Sequence, residues 1–218
     1  PGVGDMLAWR GFDDLMQAFH EQARIWARLT FLQILPLVEL HGKQLPCPYM
    51  SSLMQDSIGR ARAFYDGGAI YGSHATVGCL IGIATLANSM AAVRKLVFDD
   101  KTITMSQLKH ALETNFEDES TNPGGPAIRG MCLSAPKYGN DDPYVDNIAK
   151  DCLTILTKEM WQYETQPRVG YGAVVSPVTA HIAMGFLSGA TPDGRKAMTP
   201  LSDACSPAQG TEKRGPTA

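Results

Sequence analysis

Two histidines sit in stretches of sequence that carry no formal charge. His74 lies in Tyr71-Gly72-Ser73-His74-Ala75-Thr76, inside residues 67–93. His181 closes Ser176-Pro177-Val178-Thr179-Ala180-His181, inside residues 169–192. Neither stretch contains Asp, Glu, Lys or Arg. A neutral imidazole in such a setting can relay a proton or donate to a substrate. A hydrogen-bonded core histidine would produce the same pattern. His20, His41 and His110 lie among charges on predicted helix faces and read as surface residues. Cys79 follows Gly78 in the first uncharged stretch, where a thiol can be a radical or nucleophilic centre, or simply a small apolar residue. No base stands beside it in the sequence.

Two loops invite other chemistry. Pro136-Lys137-Tyr138-Gly139-Asn140-Asp141-Asp142 has the composition of a metal or phosphate loop, but adjacent carboxylates before Pro143 also make a plain helix-capping turn. Thr191-Pro192-Asp193-Gly194-Arg195 fits a Pro-led β-turn with Gly at a late position. No dinucleotide fingerprint, P-loop, zinc-protease helix motif or nucleophile elbow occurs.

The elements that must position these residues are mostly helical by pattern. Residues 12–35 place Phe12, Leu15, Met16, Phe19, Ala23 and Trp26 at steps of three and four, with Asp13 and Asp14 in the first turn and Pro36 expected to end or kink the helix. Ser51 or Ser52 is expected to cap a second helix that Gly67-Gly68 stops. A third is expected over about 84–97. Thr104-x-x-Gln107 predicts a capping box opening a fourth, to about Phe116. Residues 117–127 read as loop. Asp142-Pro143 predicts an N-cap and first-turn proline of a helix to about Trp161.

The two uncharged, glycine-rich stretches break this pattern. Their glycines and polar residues make the first a poor bilayer helix. They read instead as strands buried on both faces, as in a barrel or a parallel sheet covered by helices. Alternation with charged helices points to an α/β architecture. Irregular glycine spacing suggests bulges or the close approach of a backbone or ligand.

Composition bounds the rest. The chain has 218 residues, 44% apolar and 19% charged, with a net charge of −3. That is globular composition, and it offers no electrostatic case for nucleic acid or an anionic membrane. Five scattered cysteines with no C-x-x-C pair argue against a zinc knuckle or a secreted disulfide scaffold and for a reducing cytoplasm. Pro1 at the start and Gly215-Pro216-Thr217-Ala218 at the end suggest a piece of a longer protein.

Several ordered segments resemble the glycyl radical enzymes, the pyruvate formate-lyase-like family. They are Gly11 to Phe19, Gly67-Gly68-Ala69, Asn88 to Phe98, Pro136 to Asp142, Gly189 to Ala197, Ser206 to Gly210 and Lys213 to Ala218. The resemblance runs over the whole chain and implies part of a ten-stranded α/β barrel, its strands surrounded by helices. In that family a partner iron–sulfur S-adenosylmethionine enzyme installs a glycyl radical, which generates a thiyl radical on a central cysteine. The family's cysteine motif is Gly-Cys-x-Glu; Gly78-Cys79 is followed by Leu80-Ile81, so Cys79 does not match, and the glycyl loop is absent too. Residues 1–218 therefore resemble the section between the two catalytic loops, with no catalytic residue and no bound cofactor or metal of their own. Asn88 stands where the family often has Asp, and Gly72 to Cys79 departs from the family's pattern at a strand that lines the cavity in relatives.

The resemblance implies a radical enzyme that cleaves or forms a C–C, C–O or C–N bond, with a lean to a dehydratase- or decarboxylase-like lyase. A fumarate-adding aryl- or alkylsuccinate synthase is the alternative, and a non-catalytic α/β domain is the reading from another class. Expected partners are a small organic substrate, the radical activase and further copies of the whole protein in a dimer or higher oligomer; nucleic acid and membrane are not expected. Alternation along strands directs Tyr71, Ser73, Val77 and Cys79 of the first stretch, and Val175, Val178 and His181 of the second, to the substrate pocket.

Overall fold

The computed structural model describes residues 4–69, 77–166, 169–176 and 179–215. Tyr71, Ser73, His74 and Val178 lie outside them. The chain forms α1 (Phe12–Gln44), α2 (Pro48–Leu53), β1 (Val77–Leu80), α3 (Ile83–Val93), α4 (Met105–Glu113), α5 (Gly125–Ser134), α6 (Pro143–Trp161), β2 (Glu164–Gln166), β3 (Val169–Gly170), β4 (Gly172–Val175) and α7 (Ala180–Leu187). It divides into two compact units. One holds residues 1–21, 80–154 and 175–218; the other holds residues 22–79 and 155–174.

The first unit is built on α3. Ten of its residues are buried, among them Ala84, Ala87, Asn88 and Ala91 with almost no exposure. Ala87, Met90 and Ala91 pack with Val145, Ile148, Ala149 and Cys152 of α6, and with Phe12, Leu15, Met16 and Phe19 of α1. Val93 begins a second cluster with Leu96, Ile103, Leu108, Phe116, Ile128 and Cys132, carried by α4, α5 and their connections. The small alanines let helices approach α3 closely, so each buried side chain removes apolar area on more than one side. After Val93 the helix widens into a π-helical turn, Arg94–Asp99, which sets the Arg94 guanidinium over the Phe12 and Tyr144 rings, about 5 Å from each centroid.

Local signals hold at several helix starts. Thr104 and Gln107 form the reciprocal capping box of α4. Asp142 Oδ1 accepts from the Tyr144 N–H at 3.0 Å, with Pro143 in the first turn of α6. Asp14 Oδ2 accepts from the N–H groups of Arg10 and Gly11 at the start of α1.

The second unit contains the later part of α1, α2, the end of α6 and the short strands. Phe31 stacks on Tyr163 with centroids 4.8 Å apart and leans on the buried Tyr171. β2 and β3 pair antiparallel, and β1 pairs with β4. Gly78 is closely approached by side chains: a Cβ there would come within 2.2 Å of Met160 Cε and 2.8 Å of the Tyr171 hydroxyl, so both side-chain ends would have to move.

Three expectations change. Helix α1 does not stop at Pro36 but runs on to Gln44. A mid-helix proline forfeits one hydrogen bond, yet Phe31, Ile34, Leu35 and Val38 on the same face are half-buried on either side of it, and their burial favours continuing the helix past it. The second helix is only Pro48–Leu53; Ser51 and Ser52 lie inside it, and Cys47 precedes it without a side-chain cap. Left-handed residues Asp56 and Ala61 prevent its continuation, and Gly67, at φ 83°, closes a separate 3-10 turn.

The uncharged stretches are not simply strands. The first yields β1 and then the buried helix α3. The second yields β3 and β4 and then α7, so His181 lies on a helix and not on a strand. A short run apolar on all sides suits a buried strand or a buried helix equally, and only its neighbours decide.

Candidate functional site

The chemistry-bearing residues of the first unit converge on a turn. Gly194 N–H donates to the Thr191 carbonyl at 3.0 Å, and Thr191 N–H to the Arg195 carbonyl at 3.0 Å, which closes Thr191-Pro192-Asp193-Gly194-Arg195 as the Pro-led turn. Gly194 takes φ 94°, a left-handed conformation that suits glycine. Asp193 is tucked inside: its Oδ1 accepts from Thr191 Oγ1 at 2.6 Å and from Arg195 N at 3.2 Å. Burial pushes its carboxyl above the usual carboxylate value, against these hydrogen bonds and the nearby Lys137 and Arg195 charges. The Arg195 guanidinium ties the turn to the following segment by donating to Thr191 Oγ1, to the carbonyls of Lys196 and Thr199, and to that of Gly189.

Lys137 approaches from the Pro136–Asp142 loop. Its Nζ donates to the Cys132 and Ala135 carbonyls at 2.6 and 3.1 Å, at the C-terminus of α5. A cation there complements the helix dipole. Burial lowers the lysine's proton affinity, and Asp193 partly restores it. Arg129 Nε donates to the Gly194 carbonyl at 2.9 Å. The same loop reaches α3, where Tyr138 N–H donates to Asn88 Oδ1 at 2.7 Å while Asn88 Nδ2 is buried without a hydrogen-bond partner among the described residues.

Arg129, Lys137, Asp193 and Arg195 line a cleft of about 650 Å³ together with Thr85, His181, Ile182, Ser202, Asp203 and Gln209. Thr85 and Ser202 exchange two 2.9 Å hydrogen bonds, each N–H to the other's hydroxyl oxygen, fastening the start of α3 to the 201–205 segment. His181 Nδ1 stands 3.4 Å from Asp203 Oδ1, within ion-pair reach but without hydrogen-bond geometry. The walls thus carry both signs of charge, a buried carboxylate and an imidazole. That is a polar receptor surface. Among the described residues no three His, Cys, Asp or Glu side chains lie close enough to hold a metal ion.

A second cleft, of about 760 Å³, is lined by Tyr138, Asp141, Asp146, Cys205 and Glu212, among others. In the protein core Cys132 and Cys152 are fully buried, and burial pushes their thiols up to about 11 and about 12. They are packing residues.

Of the pocket residues expected from the sequence, Tyr71, Ser73 and Val178 lie outside the described residues. Val77 lies in β1. Cys79, also in β1, is exposed. Val175 ends β4 and is half-buried. His181 is on α7 and lines the 650 Å³ cleft. Asp203 is the partner that sequence reasoning missed, whereas Lys137 and Asp193 lie in the two loops whose composition stood out. Charged residues in loops read as surface, and nothing in spacing announces that Asp203 faces a histidine on α7.

Comparison with known proteins places this arrangement. The chain matches the "Pyruvate formate lyase-like" family over residues 1–185. It is 32% identical over 217 residues to trans-4-hydroxy-L-proline dehydratase of Clostridioides difficile, covering 99% of this chain and 26% of that one. It superposes with a TM-score of 0.89 and 36% identity on a structure solved for 1,2-propanediol dehydration in Roseburia inulinivorans, covering 99% of this chain and 27% of that chain. A glycyl radical enzyme from Archaeoglobus fulgidus gives a TM-score of 0.83 at 27% identity. The fold is thus of the α/β type that these enzymes share. The chain belongs to the pyruvate formate lyase-like family. It spans about a quarter of the length of the relatives it matches.

Proposed function

We propose that these residues are one section of a glycyl radical lyase of the dehydratase kind, acting on a small hydroxylated organic molecule. The observation that carries this reading is the superposition of nearly the whole chain, at 36% identity, on the structure concerned with 1,2-propanediol dehydration. In this reading the whole protein forms the ten-stranded barrel, β1 and β4 contribute two of its strands, and residues 1–218 fall between the cysteine and glycyl loops. The glycyl radical, installed by an S-adenosylmethionine iron–sulfur activase, supplies a thiyl radical that removes hydrogen from substrate. Cys79 lacks the Gly-Cys-x-Glu context and is not that thiol. This chain's own contribution is shape. Tyr71, Ser73, Val77, Cys79, Val175 and Val178 form the uncharged part of the substrate wall, and His181 with Asp203 supports it from α7. The protein works in the cytoplasm as a homodimer or larger oligomer. Among the described residues, no helix is long and apolar enough to cross a membrane.

A decarboxylase-like reading has one observation behind it: 36% identity over 152 residues to a 4-hydroxyphenylacetate decarboxylase glycyl radical subunit. One experiment separates the two. The full-length protein is activated anaerobically with its activase, the glycyl radical is recorded by EPR, and 1,2-propanediol, trans-4-hydroxy-L-proline and 4-hydroxyphenylacetate are supplied in turn. Loss of water from a hydroxylated substrate is expected. Loss of carbon dioxide would replace the first reading by the second. Failure to form a radical under conditions that activate a known relative would sink both.

A further inference from the structure

The later part of α1 is apolar in two directions. At about 100° per residue, residues 22–44 divide into three sectors about 120° apart. Ala23, Ala27, Phe31, Ile34, Leu35 and Val38 form the first, all buried or half-buried. Arg24, Arg28, Glu39 and Lys43 mark the second, which is charged but also holds the exposed Leu32 and the half-buried Ile25. Trp26, Leu29, Leu37 and Leu40 form the third with Gln33, and they are bare: 61%, 43%, 51% and 53% exposed. Beyond the helix in sequence, Leu45, Tyr49, Met50, Leu53 and Ile58 are exposed as well.

A helix on the outside of a domain needs one apolar stripe. Two apolar stripes flanking a largely charged strip describe a helix held between layers, with an edge in water. Among the described residues a single layer is present. Contiguous bare apolar surface of this extent marks an interface.

We infer that the Trp26–Leu29–Leu37–Leu40 stripe of α1 is covered by polypeptide of the same chain lying outside these 218 residues. The inference rests on the family reading above. This chain covers only 27% of the structure it superposes on best among those described, so about three quarters of such a protein is available to supply the second layer. The buried fraction of surface rises with chain length, and a section taken from a large single fold must leave such faces open. A second copy of the protein is the competing occupant. It would cover one patch of an otherwise finished surface, whereas the stripe runs for about four helical turns and more large apolar side chains lie bare after it in sequence.

The test uses the full-length protein and hydroxyl-radical footprinting read by mass spectrometry, with a synthetic peptide of residues 22–44 as the unprotected reference. Modification of Trp26, Leu29, Leu37 and Leu40 is followed across a dilution series while light scattering reports the oligomeric state. Protection on the order of tenfold against the peptide, as for buried side chains, and unchanged between dimer and monomer, is expected. Reactivity equal to the peptide's overturns the inference. So does protection that disappears as the oligomer dissociates, which assigns the face to a second copy. A gene product no longer than these 218 residues removes the occupant and also overturns it. Radical formation and turnover are measured on the same preparation. Protection without turnover sinks the proposed function and leaves this inference standing, while turnover with a reactive stripe sinks this inference alone.

Discussion

Gly185 and Gly130 are both helical glycines of the first unit, and alanine should act on them with opposite sign. Gly130, in α5, is exposed, and a Cβ there would meet nothing within 4 Å. Alanine then gains helix propensity alone, about 1 kcal/mol. Gly185, in α7, is buried against the 199–200 segment. Its Cβ would lie 2.3 Å from the Thr199 carbonyl oxygen and 2.7 Å from Pro200 Cα. Both obstacles are backbone, and the Thr199 carbonyl is also held by Arg195 Nη1 at 2.6 Å. A shift of roughly 1 Å is needed to restore van der Waals distance. Overpacking of this kind costs about 1–3 kcal/mol, and a tethered backbone belongs at the upper end. After the propensity gain of about 1 kcal/mol, Gly185→Ala should lose about 2 kcal/mol. Because the 199–201 segment walls the 650 Å³ cleft, the strain reaches the candidate site. Amide hydrogen exchange in the full-length protein reads the two helices separately. Gly130→Ala should slow α5 amides about fivefold, and Gly185→Ala should speed α7 amides about thirtyfold, the factors that correspond to 1 and 2 kcal/mol. If Gly185→Ala slows exchange in α7 as well, the packing argument is wrong and the Thr199 segment yields freely.

Met198 and Ala204 adopt left-handed backbone, at φ 62° and 47°. Glycine at either position relieves strain of about 1–2 kcal/mol per residue and loses about 0.4–1 kcal/mol through the freer unfolded chain. Exposed Met198 gives up little packing, so Met198→Gly should stabilise by up to about 1 kcal/mol; faster exchange in the 196–205 amides would contradict it. The Asp118 carboxyl is held down to about 2, chiefly by its hydrogen bond to His110 Nε2 and then by the N–H and hydroxyl of Ser120. A depressed carboxylate contributes stability above its unfolded titration range and loses it as pH falls through the folded value. The 117–124 loop should therefore loosen between about pH 4 and pH 2. His110→Ala should move the Asp118 carboxyl carbon titration, followed by NMR, upward; an unmoved midpoint would show that His110 does not hold it.

What the sequence determined by itself was local. The capping box at Thr104, the Asp142-Pro143 start of α6 and the Pro-led turn at Thr191–Arg195 are all present, because each closes through hydrogen bonds spanning at most four residues. The ordered motifs also carried family membership, since they depend on residue identity and not on geometry. Tertiary structure alone decided the rest. It turned part of each uncharged stretch into a helix, because a run apolar on every side takes the shape its neighbours leave. It carried α1 through Pro36, where half-buried neighbours on both sides outweigh one lost hydrogen bond. It set His181 beside Asp203, Thr85 against Ser202 and Asn88 under Tyr138. Those pairs are separated by up to 117 residues, and chain packing, with no local rule, brings them together.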